Sequence, residues 1–152
     1  LSKSLQPEES AEIALSFVLR KEEDILEILA GKNGEYHFRI NQGETWVQPI
    51  QWLSADRSPK NLTGYTILWQ IRPSANSSTI TVTGDYEITN ANKGMFSLIL
   101  TEDQSSSIPA KGHDYSQLTK YVYDVYLISP QDASTRILNG FIYVSPGVSK
   151  DA

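Results

Sequence analysis

The residue types of a nucleophile triad occur close together in Ser105-Ser106-Ser107, His113 and Asp114. Types alone do not make an acyl-transfer site. The serine has to stand on a sharp strand-to-helix elbow of the Gly-x-Ser-x-Gly kind, with backbone N–H groups aimed at the oxyanion. Neither signature accompanies these residues. Glycoside hydrolysis would need two carboxylates facing each other across the scissile bond, and Glu44, Glu87 and Glu102 have no usable spacing. No catalytic residue is assigned, and the chain is expected not to be an enzyme.

Metal and cofactor chemistry fare no better. His37 falls on the polar phase of a strand-like run and His113 in a long connection, without the paired spacing of zinc ligands. Asp56, Asp85 and Asp132 lie in turn sequences, where a carboxylate caps the local backbone more often than it binds calcium. The chain has no cysteine. That removes thiolate ligands, disulfides and a thiol nucleophile together. No metal and no cofactor is expected.

Asp124 is different. It interrupts Tyr121-Val122-Tyr123 and Val125-Tyr126, where a carboxylate is costly unless paired. Arg72, with Arg136 as the alternative, is the expected partner in a cross-strand ion pair, against the simpler reading of a solvated side chain.

Three Trp and eight Tyr make the chain aromatic-rich. Aromatic rings on an open sheet face can stack on sugars, so a carbohydrate-binding module is one reading. The other is that Trp46, Trp52 and Trp69 fill a core, as their phase with Ile50, Ile67 and Ile71 suggests. Core is preferred for Trp46, Ile50, Trp52 and Trp69; Tyr126 and Tyr143 remain candidates for a subunit interface.

The elements that would position these residues are short and β-rich. A 152-residue chain suits one domain with an appendage. Its formal charge of −5 lacks the clustered cations that phosphate backbones require, so no nucleic-acid partner is expected. No apolar run reaches membrane-spanning length, and Leu1-Ser2-Lys3-Ser4-Leu5 is too short and polar for a signal peptide. Residues 1–34 are read as a helical docking segment. Pro7 and the acids after it suit a helix start. Ala11–Leu19 fits a helical stripe, although Ile13, Leu15, Phe17 and Leu19 also alternate as a strand would. Lys21–Ala30 is read as helix, with Ile25, Leu26, Ile28 and Leu29 as its apolar stripe and Gly31 as its stop.

From residue 35 to 148 the pattern predicts an immunoglobulin-like antiparallel β-sandwich: seven or eight short strands separated by turn signals. The first long strand, read over Gly43–Trp52, contains Pro49, which predicts a sheet edge, a bulge or an interruption there. Thr101 is placed at the cap of a short helical turn. Residues 149–152 read as a tail or linker.

The order of motifs supplies a family resemblance. Gly43-Glu44-Thr45-Trp46, with Ile50 and Trp52, precedes Asn61-Leu62-Thr63-Gly64-Tyr65 and Gln70-Ile71-Arg72. Gly94-Met95-Phe96-Ser97-Leu98, Tyr121–Val125, Leu138-Asn139-Gly140 and Val144-Ser145-Pro146 follow. This resembles small β-sandwich proteins of tailed-phage structural modules, and is similar to the N-terminal domain of baseplate upper proteins over residues 36–148. The resemblance implies a virion structural protein, assembled in the host cytoplasm, whose partners are other tail or baseplate proteins in a homo- or hetero-oligomer. Partner contacts are then assigned to Ile13, Phe17, Ile25, Leu26 and Leu29 in the first segment, and to His113 and Tyr115 in the long loop.

Overall fold

A computed structural model describes residues 24–32 and 34–149. Its strands are β1 (Leu26–Leu29), β2 (Gly34–Glu35), β3 (Phe38–Asn41), β4 (Trp46–Leu53) and β5 (Thr66–Arg72). They continue as β6 (Val82–Thr83), β7 (Asp85–Asn90), β8 (Met95–Leu100), β9 (Thr119–Ile128) and β10 (Ser134–Ser145). One short helix, α1 (Glu102–Ser107), lies between β8 and β9.

The strands form two sheets, and the molecule is a β-sandwich. One sheet has the order β1-β4-β8-β7; the other runs β2-β10-β9-β5-β6, with β3 also paired to β10. Pairing is antiparallel except where the early strands join: β1 runs parallel to β4, and β2 and β3 run parallel to β10. β2 and β3 are successive pieces along one edge of β10. Between them, Tyr36 and His37 step out opposite Gly140 and Phe141. A Cβ at Gly140 would collide with the carbonyl oxygen of Tyr36, so this step needs glycine on its partner strand.

Alternation explains which faces meet. Tyr121, Tyr123, Val125 and Leu127 of β9 point inward, as do Ile67, Trp69 and Ile71 of β5 and Phe96, Leu98 and Leu100 of β8. Trp69, Ile50 and Trp52 are buried in this core and Trp46 packs against its margin. The indole of Trp69 donates to Asp85 O at 2.7 Å, which removes the cost of burying its N–H. The three-residue 3-10 turn Ala91–Lys93 ends on Gly94, whose φ of 68° sets up β8.

The helical reading of Lys21–Ala30 is corrected for its described part. Leu26–Leu29 is a strand in register with Ile50–Leu53. Leu26 and Ile28 face the core, and pairing with β4 gives the backbone its hydrogen bonds. Leu26, Ile28 and Leu29, around Glu27, satisfy either period, and the sheet decides between them. The sandwich therefore begins at β1 and not at residue 35. Residues 7–23, with the rest of the expected helix, lie outside the described residues.

Pro49 also departs from expectation. β4 is an interior strand between β1 and β8, and its pairing with β8 runs unbroken from Trp46↔Leu100 to Gln51↔Met95. Trp52 N–H donates to Gly94 O toward β8, so the odd-numbered residues of β4 point their backbone toward β1. Pro49 sits one residue before the β1 pairing begins at Leu26↔Ile50. There the ladder would ask residue 49 to donate to Asp24 O, and the Gln48 side-chain amide donates to it instead, at 3.0 Å.

Candidate functional site

The long connection after β8 is built from its cap outward. Thr101 Oγ1 accepts from Gln104 N–H and Gln104 Oε1 accepts from Thr101 N–H, a reciprocal capping box that starts α1. Ser105, wholly buried, accepts from Gly43 N–H at 3.0 Å and donates to Glu44 O at 2.7 Å. The serine run is thus a joint between α1 and the β3–β4 turn. Its proton is committed to a backbone carbonyl rather than to His113.

Gln42 extends the joint. Its Nε2 donates to Ile108 O at 2.9 Å and its Oε1 accepts from Gly147 N–H at 3.0 Å. One side chain therefore ties the end of α1 to the chain leaving β10. Beyond Ile108 the loop is held by Tyr121 Oη donating to Pro109 O and by Lys111 N–H donating to Thr119 Oγ1. His113 N–H donates to Gln117 Oε1 at 2.7 Å. Asp114 Oδ1 accepts from the N–H and hydroxyl of Ser116, and those two bonds hold its carboxyl below the usual carboxylate range. The result is an open cleft of about 430 Å³, lined in part by Gln42, His113, Asp114, Tyr115 and Val148. Tyr115 is 59% exposed at its mouth. The two loop residues singled out from sequence, His113 and Tyr115, are brought together here. Gln42 and Gly147, which shape the cleft, were missed because a glutamine in a turn carries no pattern.

A second open groove, of about 640 Å³, lies along the side of β1 away from β4. Ile25, Leu26 and Leu29 line it together with Tyr36, Gln51, and Arg57, which reaches Glu27 at 3.3 Å. Three of the residues expected on a helical stripe thus share one surface, on a strand. Ile13 and Phe17 lie outside the described residues.

Asp124 occupies the outer face of the six-stranded sheet, opposite Gln70 on β5 and Asn139 on β10. The expected ion pair is not formed: among the described residues the close cation–carboxylate pair is Arg57–Glu27, and His37 Nε2 lies 3.9 Å from Glu35. Arg72 is spent on Ser77 O at 2.8 Å and Gln70 Oε1 at 2.9 Å. Half-burial pushes the Asp124 carboxyl up, and the charges of Arg136 and Arg72 oppose this without cancelling it. Next to it in register, Asn139 Oδ1 is buried without a partner.

His37 lies in the step between β2 and β3. Its Nδ1 accepts from Phe141 N–H at 3.0 Å and its ring stacks on Phe141 at 5.0 Å. Lys120 Nζ stands 4.5 Å from the same Phe141 ring. Tyr126 and Tyr143 are half-buried on this outer face. Among the described residues no three His, Asp or Glu side chains converge as metal ligands, and no helix is long and apolar enough to cross a membrane.

The fold and grooves define a β-sandwich with two open surfaces. No family model matches the chain, and no curated protein matches it. Among solved structures, the chain is similar to the soluble domain of PmoD from Methylocystis sp. ATCC 49242 (Rockwell). The TM-score is 0.34 at 10% identity, over 70% of this chain and 77% of that one. A likeness at that level carries no argument about what this chain does.

Proposed function

We propose that this chain is a structural component of a bacteriophage tail or baseplate, an adaptor that joins neighbouring subunits or anchors a fibre or receptor-binding protein. The reading rests on the phage-module resemblance of residues 36–148. The observation that carries it furthest is the groove along β1, where Ile25, Leu26, Leu29 and Tyr36 stand with Glu27, Gln51 and Arg57 beside a strand that is an edge among the described residues. Strand edges are places where a partner chain can add. Tyr36 is 44% exposed in the groove.

The test is mass spectrometry of purified phage particles from a producing host, with antibody labelling of the tail. The expected result is the chain in the particle at the tail end. Absence from particles, with a monomeric mass in solution, would overturn the reading. A truncation test must remove residues 1–23 only, since cutting at 34 deletes β1 and opens β2.

A second reading, a carbohydrate-binding module, is favoured by the exposed Tyr115 ring beside Asp114 and His113 in the loop cleft. Glycan-array binding that is lost in Tyr115→Ala would support it, and an array without signal would remove it.

A further inference from the structure

We infer that the groove along β1 is a docking site for the chain's own apolar stretch Ala11–Leu19, which adds to the free edge of that strand. It claims the groove that the tail reading offers to a partner, and leaves the phage-module resemblance behind that reading untouched.

β1 is a sheet edge. Ala30 N–H donates to Leu53 O on β4, so in this parallel ladder Leu26, Ile28 and Ala30 direct their backbone groups to β4. The N–H and C=O of Glu27 and the N–H of Leu29 therefore point the other way. No strand among the described residues lies on that side. An exposed edge of this kind is a template for another strand, and proteins cover such edges.

The edge also borders an opening between the two sheets. Leu26 is partly buried at the core margin here, and Tyr36, in the step between β2 and β3, forms the far wall. The apolar face of an occupant would meet these two side chains.

Ala11–Leu19 offers that face in its sequence: Ile13, Leu15, Phe17 and Leu19 alternate with Glu12, Ala14, Ser16 and Val18. The stretch is also close at hand. Arg20-Lys21-Glu22-Glu23 leads from it directly to Asp24, whose carbonyl is fixed to Gln48 at the start of β1. That polar connection has the length of a hairpin loop, so the stretch reaches the edge from within its own chain. Leu26–Leu29 itself, equally apolar and equally ambiguous in period, is a strand at this same edge.

Residue-resolved hydrogen exchange on the full chain tests the assignment through the Glu27 and Leu29 amides. In the wild type both are expected to be protected. The pair Ile13→Asp with Phe17→Asp, or the milder Phe17→Ser, should speed their exchange about tenfold or more while the β9 amides stay protected. Ser16→Asp, on the other phase, should leave them unchanged. Free exchange of Glu27 and Leu29 in the wild type would overturn the inference, as would protection indifferent to both Phe17 variants. Protection that grows with protein concentration alongside a dimer mass would also overturn it, by assigning the groove to a second copy.

Discussion

Gln48 donates its side-chain amide to the carbonyl oxygen of Asp24 at 3.0 Å, beside a proline that has no N–H to give. The parallel ladder between β1 and β4 would otherwise end with an unanswered carbonyl. The same amide also reaches Pro49 O at 2.9 Å. Pro49 can occupy an interior strand because its neighbour in sequence supplies the missing donor.

Gln48→Met keeps the side-chain volume and removes the donor. The expected loss is about 1 kcal/mol in urea unfolding, with faster amide exchange at Leu26 as the local sign. Unchanged exchange there would mean that β1 is held by its apolar side chains alone.

Asp124→Asn reads the cost of a half-buried carboxylate. Its folded-state pKa is raised, so the favourable contribution is present below the ordinary carboxylate value and is lost as pH rises through the folded value. The variant should therefore melt higher than wild type at about pH 7, and the gain should vanish near about pH 3, where both states of the wild type are protonated. The new amide also offers a donor toward Asn139 Oδ1. A gain that is equal at both pH values would assign the effect to that hydrogen bond instead of to charge.

Ser105→Ala removes the hydroxyl that serves Gly43 N–H and Glu44 O inside a fully buried site. Leaving such groups unanswered costs about 1–3 kcal/mol. The loss should appear as a lower urea midpoint at unchanged m value. A neutral result would require the β3–β4 turn to find other partners.

Gly140→Ala drives a methyl group into the carbonyl oxygen of Tyr36. Tyr123 Oη donates to that same oxygen at 2.8 Å, and burial holds the Tyr123 hydroxyl well above the ordinary tyrosine value. Overpacking of this kind costs about 1–3 kcal/mol. Movement of the Tyr123 ring signal by NMR, with the β5–β9 amides unchanged, would locate the damage at the β2–β3 step.

The β-sandwich and its core were legible because alternation in β5, β8 and β9 admits one reading: Trp69, Phe96 and Val125 each share a phase with aliphatic neighbours. Leu26–Leu29 was not legible. Leu26, Ile28 and Leu29 satisfy both a helical stripe and a strand, and what decides is the side of β4, distant in sequence. Asp124 misled for a related reason. Its odd placement among tyrosines was visible, but Arg72 is drawn to Gln70 and Ser77, and no spacing along the chain forecasts that. His113 and Tyr115 were found because a long polar connection stands out. The clamp at Gln42 that shapes their cleft was not, because its partners lie 66 and 105 positions away.

The place of β10 has a consequence for how the chain is made. This strand lies between β9 and the early pieces β2 and β3, which have no other sheet partner among the described residues. Until the ribosome has released residues 134–145, Phe38 and Ile40 have nothing to pair with. Loop closure over so long a separation is slow and costs entropy before contacts return it. The β2–β3 segment therefore stays without its sheet partner until β10 has emerged, so the six-stranded sheet closes last along this seam.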